Sequence, residues 1–233
     1  MLKRILLIVS MVLLALILLP LLEGLGEQTH VSSLAEYYLS SGADDLNSPN
    51  LVTSVVVTYR GLDTLGEVTV LFAAAAGIML AFKGLKMDEK EREKTQGPSE
   101  LLASGASLLF PILFIFGIYI FTHGHLSPGG GFQGGVVIAS AALLLLLSGV
   151  IPGVSHLMTS LLEALAGASY VAIGLLGLYL AAGFLDPRFL PRGEWSGIFS
   201  AGAIPVIYSL VGIKVGSELS AVLNAMISKG GEK

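Results

Sequence analysis

Apolar residues along this chain gather into six long runs, roughly 3–22, 62–83, 102–122, 131–151, 158–185 and 197–227, separated by polar breaks. A helix needs about 20 predominantly apolar residues to cross the hydrocarbon core of a bilayer. The pattern therefore predicts an all-α, polytopic membrane protein with about six transmembrane helices. The first run, Ile5 to Leu22 behind Lys3 and Arg4, also has the outline of a signal peptide. It is long for one, and Leu22-Glu23-Gly24-Leu25-Gly26 offers no small-x-small cleavage site, which favours a retained helix.

Composition strengthens this reading. Hydrophobic residues make up 54% of the chain and charged residues 13%, where a soluble domain carries about 25% charged residues. The mean hydropathy is +0.81. Six helices in 233 residues leave no room for a soluble catalytic domain, so the chain is expected not to be an enzyme by itself. The net charge of −4 gives no reason to expect nucleic acid as a partner.

Basic residues mark the cytoplasmic side of a membrane protein. Lys3, Arg4, Lys83, Lys86, Lys90, Arg92, Lys94, Lys229 and Lys233 fall on one side, against Arg60, Arg188 and Arg192 on the other. Both termini are then cytoplasmic, in a multi-pass protein of the plasma membrane. The segment from Glu23 to Leu62, the turn at His123 and the loop from Asp186 to Glu194 face outward. The mixed charge run Asp88 to Lys94 reads as a solvated linker. It divides the chain into a two-helix segment, 1–87, a charged cytoplasmic linker, 88–99, and a four-helix domain, 100–233. Pro98 and Ser99 mark the start of the next helix.

There is no cysteine, which excludes disulfides, cysteine-ligated iron–sulfur clusters and cysteine-ligated zinc. No phosphate-binding loop and no H-E-x-x-H is present. No catalytic residue, metal site or bound cofactor is therefore assigned. The chemistry lies in charges and in a polar island between two apolar runs, His123-Gly124-His125-Leu126-Ser127-Pro128-Gly129-Gly130-Gly131-Phe132-Gln133-Gly134-Gly135. Lipid cannot satisfy irregular backbone, so such a segment near membrane depth must be buried in protein or line a wet cavity. It suggests an ion or proton route at His123 and His125. The plainer alternative is a tight turn with both imidazoles among the outer headgroups.

An ionisable residue in a span is expensive and usually functional. Asp63 and Glu67 are four apart on one helix face, a plausible mouth for a cation; alternatively they cap the helix start. Lys214 falls near the middle of the 31-residue stretch 197–227, with Glu218 on the same face and Pro205 as a candidate kink above it. Desolvation can strip such a lysine of its proton, which suits a relay; alternatively it snorkels to the headgroups. Glu163, near His156, is a secondary candidate for an inner exit. Small residues recur every four positions at Thr69, Ala73, Gly77 and Ala81, at Gly131, Gly135 and Ala139, and at Ala164, Ala168 and Ala172. These stripes predict close helix crossings, within the chain or with neighbouring subunits.

The four-helix part resembles the B subunit of Mrp-type (MnhB-like) Na⁺/H⁺ antiporters. The resemblance rests on Phe121 to Gly135, with Pro128, Gly129, Gly130, Gly131, Gly134 and Gly135 as its structural motif, and on Gly212-Ile213-Lys214-Val215-Gly216. The two-helix part resembles the C-terminal end of the large A-type antiporter protein over Asn50 to Glu67, including Tyr59-Arg60-Gly61-Leu62-Asp63-Thr64. In the usual antiporters these pieces lie on separate chains. The resemblance implies a component of a multi-chain Na⁺/H⁺ antiporter module moving Na⁺ and H⁺. The fused form looks more like the modules of membrane-bound hydrogenase-type respiratory complexes, which couple electron transfer to cation and proton movement. Implied partners are other Mrp-type antiporter subunits, hydrogenase-like or sulfur-reducing iron–sulfur subunits, and the lipid bilayer. The alternatives are a purely structural membrane subunit of such a complex and a subunit of a stand-alone antiporter. Two dissimilar parts without an inverted repeat argue against an independent transporter.

Overall fold

The computed structural model describes residues 2–27, 31–84 and 99–231. Among them every regular element is helical. Gly61–Phe82, Glu100–Thr122, His156–Leu180 and Ile204–Ile227 are long and apolar enough to cross a membrane, Gly131–Leu147 is a shorter apolar helix, and the apolar stretch Arg4–Pro20 lies within the helix Leu2–Glu27. These are the six expected runs, and the chain is a polytopic membrane protein. Most of the linker predicted over 88–99 lies outside the described residues; Ser99 alone is described, and its hydroxyl accepts the Leu102 N–H as a helix cap.

The chain forms two compact units, Met1–Ser40 and Ser41–Lys233. In the first, α1 (Leu2–Glu27) is apolar on all sides, and its described side chains are exposed. The helix α2 (Ser33–Leu46) begins where the Ser32 hydroxyl accepts the Ala35 N–H. The hydropathy pattern leaves 23–62 as a loop, because a 14-residue helix of low hydropathy escapes a search for membrane-length runs.

In the second unit, α3 (Leu51–Thr53) passes into a π-helical turn at Ser54–Tyr59, followed by α4 (Gly61–Gly84), α5 (Glu100–Thr122), α6 (Gly131–Leu147), α7 (His156–Leu180) and α8 (Ile204–Gly231). Helix α8 is the centre, with α4, α5, α6 and α7 all packed on it. Glycine makes the tightest of these contacts possible. A methyl at Gly135 would stand 2.8 Å from both the Gly212 carbonyl and the Val215 Cβ, and one at Gly131 would stand 2.6 Å from the Val211 Cβ. On the other side of α6, a methyl at Gly134 would meet the Gly117 carbonyl of α5 at 2.6 Å. The Gly131/Gly135 stripe is thus an internal crossing. The stripes on α4 (Thr69, Ala73, Gly77, Ala81) and α7 (Ala164, Ala168, Ala172) are exposed instead.

The limits of the last three helices differ from their apolar runs. The run 131–151 ends its helix at Leu147, and the run 158–185 is helical over His156–Leu180. The last helix starts at Ile204, because Ala201 (φ 64°) and Gly202 (φ 57°) adopt left-handed backbone that no α-helix contains. Pro205 consequently sits in the first turn, where its missing N–H costs nothing, and does not kink the helix.

Candidate functional site

The three segments expected to face outward meet at one end of the second unit. Asn47 Nδ2 donates to the carbonyls of Arg192 and Gly193, both at 2.9 Å, and Arg192 donates to the Asp45 carbonyl at 3.0 Å. The His123 turn is held between these segments. Its Gly124 carbonyl accepts from Asn50 Nδ2 at 2.7 Å and from the Thr53 hydroxyl at 2.6 Å. Asn50 Nδ2 also reaches the Ser127 carbonyl at 2.9 Å, and the His125 carbonyl accepts from the Ser48 hydroxyl and the Asn50 N–H, each at 3.0 Å. Tyr208 of α8 donates to Thr53 Oγ1 at 3.2 Å. The backbone that lipid could not satisfy is therefore satisfied by residues 48–53. Asn50 does this while also accepting the Thr53 N–H as the cap of α3.

The two imidazoles have different surroundings. His123 is half-buried and stacks on Tyr119 of its own helix, ring centres 4.3 Å apart. His125 is fully buried, and its Nε2 faces the Gly197 carbonyl at 3.4 Å. A carbonyl only accepts, so the neutral ring carries its proton on Nε2 and leaves Nδ1 as a buried acceptor without a partner. Burial holds His125 below the ordinary histidine range, opposed by the Gly197 carbonyl and assisted by His123.

A second cluster lies deeper. Lys214 is ten residues, about 15 Å, along α8 from Ile204, so the structure does not bring it together with the histidine turn. Its ammonium stands 3.1 Å from Glu218 Oε2 and 3.7 Å from Glu163 Oε1 of α7, and 5.3 Å from the centre of the Phe72 ring of α4. Lys214 is 8% exposed and Glu218 0%. The lysine folds onto carboxylates rather than reaching toward headgroups. Glu163, read from the sequence as an inner exit near His156, belongs to this cluster; His156 instead neighbours the Ser160 hydroxyl. Beside Lys214 a cavity of about 170 Å³ opens between α4, α7 and α8, with Thr69, Phe72 and Tyr170 among its walls.

Asp63 and Glu67 are both exposed on α4. Asp63 accepts from Arg60 Nε at 2.6 Å. Glu67 is the seventh residue of α4, beyond the four N–H groups that need a cap, and it lies within electrostatic reach of the Tyr170 and Tyr208 hydroxyls. The sequence reading placed Asn50 and Thr53 in a family resemblance without giving them a role at the site, and passed over Tyr170, Phe72 and Asp186. Asn50 and Thr53 carry the spacing of a helix cap, a signal present but unused; Phe72 and Tyr170 are ordinary helix residues until packing sets them beside Lys214.

Residues 101–221 match the family described as a domain related to the MnhB subunit of Na⁺/H⁺ antiporters. The chain belongs to this family. The matched region runs from α5 into α8 and contains the histidine turn, Glu163, Lys214 and Glu218. Residues 5–92, which contain Asn50 and Glu67, match a second family, MbhE, one of the subunits of MBH. Over its whole length the chain is similar to a chain of the membrane-bound sulfane sulfur reductase, an archaeal respiratory membrane complex. The TM-score is 0.78 at 41% identity, covering 97% of this chain and 99% of the other. It is 29% identical to an uncharacterised protein of Methanocaldococcus jannaschii, over 86% of this chain and 91% of that one. It is 27% identical to a probable K⁺/H⁺ antiporter protein of the combined A/B type from Rhizobium meliloti, over 50% of this chain and 14% of that much longer protein.

Proposed function

We propose that this chain is a non-catalytic membrane subunit of the antiporter-like module in a respiratory complex that couples electron transfer to Na⁺ and H⁺ movement. The observation that carries the reading is the end-to-end likeness to a single chain of the sulfane sulfur reductase complex. Both parts of the fused chain are matched there, which a stray antiporter domain would not produce. The exposed small-residue stripes of α4 and α7 support it, because such faces let a neighbouring helix approach closely. The partners are other Mrp-type subunits together with iron–sulfur subunits of the hydrogenase-like or sulfur-reducing kind, in the plasma membrane. Within this chain, Asp63, Glu67, His123 and His125 mark the outer side of an ion route, and Glu163, Lys214 and Glu218 its buried part.

Purification through this chain in mild detergent, with subunit identification and iron analysis, tests the reading. Antiporter-type and iron-bearing subunits should elute together in fixed ratio. Antiporter subunits without iron would instead indicate a stand-alone antiporter, the reading that the Rhizobium likeness favours. Recovery of the chain alone would overturn both.

A further inference from the structure

Among the described residues, the cluster at Lys214 has one more carboxylate than it has cations. Glu163 and Glu218 converge on a single ammonium, at 3.7 and 3.1 Å. The groups facing the cluster from the other elements do not correct this. Helix α4 offers the Phe72 ring, α7 offers Tyr170 across the cavity, α6 has no titratable side chain, and Glu100 and Tyr119 of α5 are exposed. Glu67 and Asp63 on α4 and His156 on α7 are exposed, and the two carboxylates would only add negative charge. With all three members ionised, a net negative charge would sit largely out of water, with Glu163 the most exposed of the three at 18%, which is unfavourable. Glu218 carries the sign of this imbalance. It is fully buried, Oε2 accepts from Lys214, and Oε1 has no partner.

We propose that Glu163, Lys214 and Glu218 form a binding site for one exchangeable proton, carried on Glu218 Oε1. In the loaded state Glu218 is a neutral carboxylic acid and Lys214 pairs with Glu163. On unloading, the Glu218 O–H bond breaks, the proton passes to water, and the ammonium is shared between two carboxylates. Lys214 keeps its charge throughout, so a single proton is gained and lost. A sodium ion does not fit the same position, because a hard cation needs several oxygen ligands and here would meet an ammonium and an aromatic ring. What the proton is used for rests on the proposed role in an ion-translocating module; that it is bound does not.

Infrared difference spectra of the purified assembly at pH 7, in H₂O and D₂O, test the site whichever partners are present. Wild type minus Glu218→Gln should show one carboxylic-acid C=O band that shifts in D₂O. Glu163→Gln should abolish the same band although Glu218 is intact, since one carboxylate then balances one ammonium; a purely structural role would leave it unmoved. Lys214→Met should raise the amplitude about twofold, because both carboxyls must then be protonated. If a Gln variant fails to assemble, Glu218→Asp gives the assignment as a displaced band. Absence of the band from wild type, its persistence in Glu163→Gln, or its appearance only when sodium is withdrawn would each overturn the proposal.

Discussion

At the scale of single residues, Asp186 shows how a charge can be buried at low cost. Its side chain is almost wholly covered, yet it accepts from the N–H groups of Ala182 and Arg188 and from Arg188 Nε and Nη2, at 2.6–3.2 Å. Burial by itself would raise the carboxyl, but the Arg188 guanidinium and the amides outweigh it and hold the group below its ordinary value. A carboxyl depressed by folding contributes stability that is complete above its unfolded value and is lost as pH falls through the folded one. Asp186→Asn should therefore lower thermal stability in detergent at pH 7 by about 1–2 kcal/mol, with the solvent-exposed side of Arg188 limiting the effect. The variant should also lose less further stability than wild type below about pH 4. Parallel melting curves against pH check both statements. Asp186 was not singled out from the sequence because Asp-Pro-Arg in a loop reads as turn chemistry; only the fold sets the arginine back across the carboxylate.

At the scale of elements, the identity of the membrane-length helices was legible, whereas α2 and the helix limits were not. Length and hydropathy suffice for the spans, because the bilayer imposes a minimum on each. The limits depend on particular backbone states, such as left-handed Ala201 and Gly202 ahead of Pro205, which apolar composition does not report. The same distinction holds for packing. The glycine stripe on α6 and the small-residue stripes on α4 and α7 look alike in sequence, yet among the described residues only the first packs into a helix crossing. Gly135→Val tests that crossing. Its branched side chain would meet the Gly212 carbonyl and Val215, and overpacking of this kind costs about 1–3 kcal/mol. The variant should melt earlier and yield less folded protein in detergent. Gly77→Val on the exposed stripe of α4, where a methyl meets nothing within 4 Å, should leave the melting of the chain unchanged. Equal losses in the two variants would mean that α6 and α8 tolerate separation.

At the scale of the whole molecule, the sequence revealed charges but not their partners. Lys214 and Glu218 are visible as an i, i+4 pair, whereas Glu163 reaches them from another helix and looked like a separate site. Asp63 and Glu67, paired by the same spacing rule, part company: Asp63 turns back to Arg60, and Glu67 remains exposed on α4. An exposed carboxylate on a membrane-length helix is costly unless water or another protein meets it. Its position in the second turn also leaves it no first-turn amides to cap. In the assembled complex Glu67 is therefore expected to face a wet path or a partner. Glu67→Gln keeps the shape and removes the charge. Transport of Na⁺ or H⁺ per assembled complex in vesicles should fall by about tenfold or more, some 1.4 kcal/mol of barrier, while recovery of the complex stays near wild type. Poor assembly with normal transport in the complexes that do form would instead make Glu67 a contact residue, and the outer end of the route would have to be sought on a neighbouring chain.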